Sequence, residues 1–278
     1  MYARAERVVG CLTLASTWHH GLVAKWWAEF NRDWHSDEIE YFKHVIERSG
    51  QPALDVGCGT GRILVPCVEA GMEVHGSDAS EEMIRLCRAR LSSRSLDTDL
   101  TVASTHELDL YQRSYRTIIS CGVFGVGTTR EEDLEGLRRI RKHLTPGGSL
   151  IFDVYLPGEN SKDWLTWSKG HRPNLPSRWS NPDTRKASDG DELVLQTRTI
   201  AFDPMEQYST REIRVKQYSD QELVNCHQYR LRLNAYFKNE IQLMLKTAGY
   251  SRVEMRGGLG DSEPTAYKDY YLMVFANI

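Results

Sequence analysis

Apolar residues recur at helical spacing over residues 22–34 and 38–49, the first stretch carrying an aromatic face of Trp26, Trp27, Phe30 and Trp34. Short apolar runs then follow at 53–56, 73–77, 100–103, 117–121 and 149–155, each too short for a helix. Between them, residues 63–70, 81–91 and 131–143 return to helical spacing, so strand and helix alternate in the βαβ rhythm of a parallel sheet. The rhythm breaks at Pro157. Residues 157–190 are rich in Pro, Asn, Ser, Asp and Trp and predict a surface lid. Residues 192–202, 209–218 and 221–233 alternate polar with apolar or aromatic positions, which predicts an antiparallel meander inserted after the fifth strand. A helix over 235–248 stopped by Gly249, then strands over 250–255 and 270–276, close the core. The expected organisation is an N-terminal helical lid over 1–50, an α/β core over 51–156 and 234–278, and an inserted lid and meander cap over 157–233.

The first strand ends in Leu54-Asp55-Val56-Gly57-Cys58-Gly59-Thr60-Gly61-Arg62, a glycine-rich turn from strand to helix. Alternate glycines let the backbone turn sharply and approach a ligand without Cβ clash, and the free N–H groups of the new helix face whatever is bound. The second strand ends at Asp78, whose carboxylate can accept two hydrogen bonds from a ribose diol. A dinucleotide fingerprint, G-x-G-x-x-G, needs a third glycine where this chain has Arg62, which argues against a nicotinamide-dependent dehydrogenase.

These residues resemble the class I S-adenosylmethionine-dependent methyltransferases, whose first motif looks like Leu54–Gly61 and whose second ends in an acid matched by Asp78. Later segments agree in order. Ser80-Glu81-Glu82-Met83-Ile84 resembles the opening of the second helix, 115–121 the fourth strand, and Leu144-Thr145-Pro146-Gly147-Gly148-Ser149-Leu150 the turn into the fifth. The resemblance, which spans 53 to about 155, implies a Rossmann-like, doubly wound, mostly parallel seven-stranded α/β sheet with an antiparallel last strand, and S-adenosyl-L-methionine as cofactor, leaving S-adenosyl-L-homocysteine. It also implies that Gly57, Cys58, Gly59 and Gly61 pass close to the methionine part of the cofactor, that Asp55 organises the turn, and that Asp78, with Ala79 beside it, holds the ribose. Arg62 is either a partner of the methionine carboxylate or an exposed arginine opening a helix. Met83 either covers the adenine or packs in the helix core. Where many relatives place an acid after the third strand, this chain has Ser104 and Thr105, either of which is left to supply a weaker hydrogen bond to adenine. Trp26-Trp27-Ala28 stands where many small-molecule members carry Tyr-Tyr-Asp.

With 35 Lys and Arg against 38 Asp and Glu, the chain has no field that draws a protein to nucleic acid or an anionic membrane, so small molecules or short peptides are the expected partners, with the protein a monomer or homodimer. The cysteines, Cys11, Cys58, Cys67, Cys87, Cys121 and Cys226, are scattered without a C-x-x-C pair or clustered histidines; no metal site is expected, and reduced thiols in the cytoplasm are. Residues 8–15, behind Arg4 and Arg7, imitate a signal sequence but are too short, and no stretch approaches the roughly 20 apolar residues of a transmembrane helix.

Methyl transfer to N or O of a small molecule such as an amino sugar, a natural product or an amino-acid-like metabolite needs alignment more than a triad, which can be worth about 7–11 kcal/mol. A base is optional, and His19 and His20 are the sequence candidates because only histidine titrates near neutrality unperturbed. An acceptor pocket is expected from Trp18 and Trp26 of the N-terminal segment and from Phe124 and Tyr155 after the fourth and fifth strands. Lid tryptophans Trp164, Trp167 and Trp179, with Tyr229 and Arg256, complete the set, although an aromatic stripe at helical spacing also serves plain packing. Arg211, Arg214, Arg230 and Arg232 alternate along the meander strands, which predicts each pair on one sheet face, facing either a substrate anion or solvent. A peptide N-methyltransferase and a non-catalytic binder of the cofactor remain as alternatives.

Overall fold

The computed structural model describes residues 11–13, 19–32, 36–157, 165, 167–170, 174–265, 269 and 271–278. In chain order these form β1 (Leu12–Thr13), α1 (Gly21–Asn31), α2 (Asp37–Ser49), β2 (Ala53–Val56), α3 (Leu64–Glu69), β3 (Val74–Asp78), α4 (Glu81–Ser92), β4 (Leu100–Val102), β5 (Tyr115–Ser120), α5 (Arg130–Lys142) and β6 (Leu144–Tyr155). They continue as β7 (Asp183–Lys186), β8 (Glu192–Asp203), β9 (Tyr208–Ser219), β10 (Glu222–Asn234), α6 (Lys238–Ala248), β11 (Arg252–Gly257) and β12 (Tyr271–Asn277).

Among the described residues the strands make two sheets. The larger has seven strands in the order β11-β12-β6-β5-β2-β3-β4, all parallel except β12, which runs antiparallel to β11 and β6. Alternation along its strands feeds two cores, as a sheet covered on both faces requires. Leu54, Val56, Ile118 and Leu150 pack with Leu137 and Ile140 of α5 and Ile241 and Leu245 of α6. Ala53, Val74, Ile119 and Ile151 pack on the other face with Phe42 and Ile46 of α2, Leu64 of α3 and Ile84 of α4. Helices cover both faces, so the doubly wound architecture is present. Because β2 is flanked by β3 on one side and β5 on the other, the order reverses there, and the crevice at the carboxyl ends of these strands is where such sheets take ligands.

The Pro146-Gly147-Gly148 turn is folded into the start of β6 rather than preceding it. Tyr115 pairs with Leu144 but Thr117 with Ser149, so the extra residues sit in a bulge, with Gly147 at φ +72°.

The smaller sheet has the order β1-β10-β9-β8-β7, the long meander β8-β9-β10 being extended by one strand at each side. Two expectations change here. Residues 183–186, assigned to the lid, form the edge strand β7. The cysteines are not all reduced: Cys11 and Cys226, 215 residues apart in sequence, form a disulfide, because β1 lies parallel beside β10 and brings them together without any local sequence signal.

The two N-terminal helices part company. α2 belongs to the core sheet, whereas Leu22, Val23 and Trp26 of α1 pack on Leu193, Ile213, Val215 and Leu231 of the meander. The two helices of the expected N-terminal lid therefore pack on different sheets. The first N–H groups of α1 have no partner within the helix, and distant side chains supply acceptors: Glu82 Oε2 for Gly21 at 2.6 Å, His227 Nδ1 for Leu22 at 3.4 Å and Tyr229 Oη for Val23 at 3.3 Å. Tyr229 Oη also donates to the His20 carbonyl at 2.7 Å. Tyr229→Phe leaves a buried N–H and a carbonyl unpaired, at about 1–3 kcal/mol, and is expected to lower Tm by several degrees in thermal unfolding. An unchanged Tm would show that these bonds do not hold α1. No helix among the described residues is long and apolar enough to cross a membrane.

Candidate functional site

A cleft of about 370 Å³ opens at the carboxyl ends of β2, β3, β4 and β5. Its floor is the glycine turn. Gly57, Gly59 and Gly61 all have positive φ, at +78°, +55° and +81°, which explains glycine at each. Their surroundings differ. A Cβ at Gly57 would lie 2.2 Å from Val123 Cγ2 and one at Gly61 2.6 Å from Val65 Cγ2, whereas one at Gly59 meets nothing within 4 Å. Gly57 and Gly61 are therefore packing glycines, and Gly59 leaves open space above the turn for a ligand.

Asp78 stands beside that space. Its Oδ2 accepts from Gly59 N at 2.9 Å and its Oδ1 from Ser80 N at 2.8 Å, so each oxygen keeps lone-pair capacity for a hydroxyl. This donor and acceptor set fits a ribose diol over the turn. Ala79 and Met83 follow along the wall, and Ala103, Ser104, Thr105 and His106 close that end. Ser104 Oγ donates to Glu107 Oε2 at 2.7 Å, so its hydroxyl proton is already engaged.

At the other end, Asp55, Cys58 and Arg62 line the cleft. Arg62 Nη1 pairs with Glu38 of α2 and Nη2 lies 3.3 Å from Cys121 Sγ, so the guanidinium is held by protein partners. Asn31, in the last turn of α1, donates to Thr60 Oγ1 at 3.0 Å and joins the lining. Burial, with the neighbouring Asp78, pushes the Asp55 carboxyl up to about 7. A raised carboxylate pKa means stability that is present below its ordinary value near 4 and lost as pH rises through about 7. Ligand-free protein is expected to lose Tm between about pH 4 and 7, and a cationic ligand in the cleft to gain affinity as Asp55 ionises around pH 7. Thermal unfolding and calorimetric titration across pH check both, and flat profiles would remove Asp55 as a titrating group.

The roof comes from two segments. His19 and His20 both line the cleft. Burial, reinforced by His20, drops the His19 imidazole to about 3, far from the near-neutral value that suits a general base, and this weakens the sequence candidate. Its carbonyl instead accepts from Ser80 Oγ at 2.6 Å, tying the segment to the core. The second segment, Cys121-Gly122-Val123-Phe124-Gly125-Val126-Gly127, is a second glycine loop, of which the sequence had offered only Phe124 as a site residue. Gly122, Gly125 and Gly127 have φ of +72°, +79° and +74°, and the G-V-F-G-V-G pattern was the available signal. Buried carboxylates hold it: Asp153 accepts from Gly122 N at 2.6 Å, and Asp133 accepts from Gly125 N at 3.3 Å and from Thr128 Oγ1 at 2.6 Å. Backbone bonds from Gly127 N to the Arg232 carbonyl and from Asn234 N to the Gly125 carbonyl stitch the loop to β10.

The structure thus brings together Asp55, Gly57, Cys58, Gly59 and Arg62 with Asp78, Ala79, Met83, Ser104 and Thr105, and adds His19, His20 and Phe124; Gly61 lies just behind the lining. Several expected acceptor residues lie elsewhere. Tyr155 is exposed and stacks near Tyr271. Trp167 packs on Phe202 and Phe237, and Trp179 lies between the guanidinium groups of Arg198 and Arg214, so both tryptophans secure the lid to the meander. Tyr229 is buried as the anchor of α1, and Arg256 pairs with Glu254 and Asp261 over the Phe275 ring. Trp26 lies under the meander, against a second cavity. Trp18 and Trp164 lie outside the described residues. Of the meander arginines, Arg230 and Arg232 share a face of β10 as expected, but Arg214 is three residues from Arg211 on β9 and falls on the opposite side, against Trp179.

Comparison with known proteins agrees with this geometry. A family model described as a methyltransferase domain matches residues 53–148. The tRNA U34 carboxymethyltransferase of Idiomarina loihiensis is 29% identical over 175 residues, which cover 56% of this chain and 53% of that protein. The cypemycin N-terminal methyltransferase of Streptomyces sp is 31% identical over 116 residues, 40% of this chain and 44% of that protein. The chain spans about half or less of the length of the curated relatives it matches. The solved structure of the sugar N-methyltransferase KedS8 from Streptoalloteichus sp covers 100% of this chain, which covers 98% of it, at a TM-score of 0.65 and 18% identity, and so shares the fold. Residues 53–148, which that model matches as a methyltransferase domain, carry the strands β2 to β5 and the start of β6 that build the cleft, and solved S-adenosylmethionine-dependent methyltransferase structures share the fold.

Proposed function

We propose that the protein transfers a methyl group from S-adenosylmethionine to a nitrogen or oxygen of a small molecule by direct in-line displacement. The observation that carries this reading is the single cleft in which the open turn at Gly59, the Asp78 carboxylate and the roof of His19, His20 and Phe124 meet. Asp78 would hold the ribose hydroxyls, Gly57 and Gly59 the methionine portion, and Met83 and Thr105 the adenine end. The cofactor supplies an electrophilic methyl on a sulfonium. The chain's own work is to align the acceptor against it and keep water out, which the Cys121–Gly127 loop and the His19-His20 segment do by closing over the turn. Where the acceptor needs a base, His20, which lines the cleft, would be that residue. The near-neutral charge favours small molecules over nucleic acid. A peptide amine as acceptor is the second reading, favoured by the likeness to the cypemycin N-terminal methyltransferase. Calorimetric titration of S-adenosylmethionine and S-adenosylhomocysteine, followed by methyl incorporation into a panel of amines, hydroxy compounds and peptides, tests the proposal. Saturable binding with turnover on a found acceptor supports it. Binding without turnover on any acceptor leaves a cofactor-binding protein, and no binding removes the reading altogether.

A further inference from the structure

A second cavity, of about 210 Å³, lies between α1 and the meander. It shares Trp27, Gly122 and Val126 with the larger cleft, so the two are contiguous through the glycine loop. Its remaining walls come chiefly from the α1-facing side of the meander: Leu195, Ile213, Leu231 and Leu233. Among the described residues the polar side chains added to this apolar lining are Thr197 and one charged residue, Arg211. Arg211 is exposed, which places it at the mouth, two residues before the buried Ile213 on the same face of β9. Trp26, also in the lining, buries its indole N–H without an acceptor, a state that costs free energy until a ligand oxygen relieves it.

Resting on the methyltransferase reading above, we propose that this cavity holds the acceptor and selects for a particular chemistry: a ring-sized or branched apolar group that also carries a carboxylate, as in an aromatic or aliphatic amino-acid-like nucleophile. A polyhydroxylated sugar would leave its hydroxyls unpaired against four aliphatic side chains. An apolar group gains from the same walls, and an apolar cavity of about 150 Å³ is already enough to take benzene. The arginine at the mouth then meets the carboxylate with a charge-assisted bond, while Gly122, common to both cavities, marks where the nucleophile would face the cofactor.

The test uses 3-phenylpropionate, its neutral amide and glucosamine as probes, read by ligand-observed NMR on the full chain with and without S-adenosylhomocysteine. Wild type is expected to bind the carboxylate about tenfold more tightly than the amide and glucosamine least. Leu195→Trp, which fills the cavity, should remove binding of both aromatic probes, and Arg211→Gln should level the carboxylate with the amide. S-adenosylhomocysteine titration of each variant reports whether it folds, and Leu233→Phe fills the same space from β10 if Leu195→Trp does not. Glucosamine binding better than the carboxylate, or aromatic binding indifferent to a folded cavity-filling variant, overturns the inference. Failure of S-adenosylhomocysteine to bind wild type instead overturns the methyltransferase reading, and the probe series without it still judges the cavity.

Discussion

Asp78→Ala is expected to lower affinity for S-adenosylmethionine by at least about 100-fold while leaving a folded protein. Two charge-assisted bonds to ribose hydroxyls, each about 1.5–3 kcal/mol, disappear together, and each tenfold in affinity is about 1.4 kcal/mol. Stability responds less because two effects oppose one another. Removing the carboxylate orphans the Gly59 and Ser80 amides, but it also removes a buried charge whose pKa is raised by burial and which the ligand-free protein holds at a cost. Calorimetric titration alongside thermal unfolding separates the two. Unchanged affinity in a variant that melts normally would show that the ribose is not held at Asp78.

The second large effect is a contrast between neighbouring glycines. Gly59→Ala is expected to fold, paying roughly 1–2 kcal/mol for a left-handed backbone with a Cβ, yet to bind cofactor at least tenfold more weakly because its methyl enters the open space above the turn. Gly57→Ala should act first on stability. Its Cβ would collide with Val123, so the loop roofing the cleft must move and Tm should fall by many degrees. Normal cofactor affinity in Gly59→Ala would place the ligand away from the turn.

These contrasts mark what the chain discloses before it folds. The glycine turn and Asp78 were legible because positive φ and a strand-end carboxylate are local demands, written where they act. The two faces of the seven-stranded sheet were legible for the same reason, since period-2 and period-3.6 patterns record burial directly. The acceptor side was not. Trp179 and Trp167 looked like ligand residues because they sit in a loop, and only the fold shows that Arg198, Arg214, Phe202 and Phe237 already claim them. Tyr229 and Glu82 hold the start of α1 across 206 and 61 residues of sequence, and Cys11 meets Cys226 across 215, separations no local pattern encodes. Arg62 and His19 carry the right chemistry at the right place, but Glu38 and burial respectively decide what they can do.

The shared core of α1 and the meander has a consequence for engineering. Leu22, Val23 and Trp26 form one hydrophobic unit with Leu193, Ile213 and Leu231, although about 160 residues separate α1 from β8 along the chain. A chimera that grafts only the inserted segment from a relative would strip α1 of its partners and leave its apolar face to water. The meander therefore transfers as a discontinuous module, with residues 21–31 travelling together with 183–234.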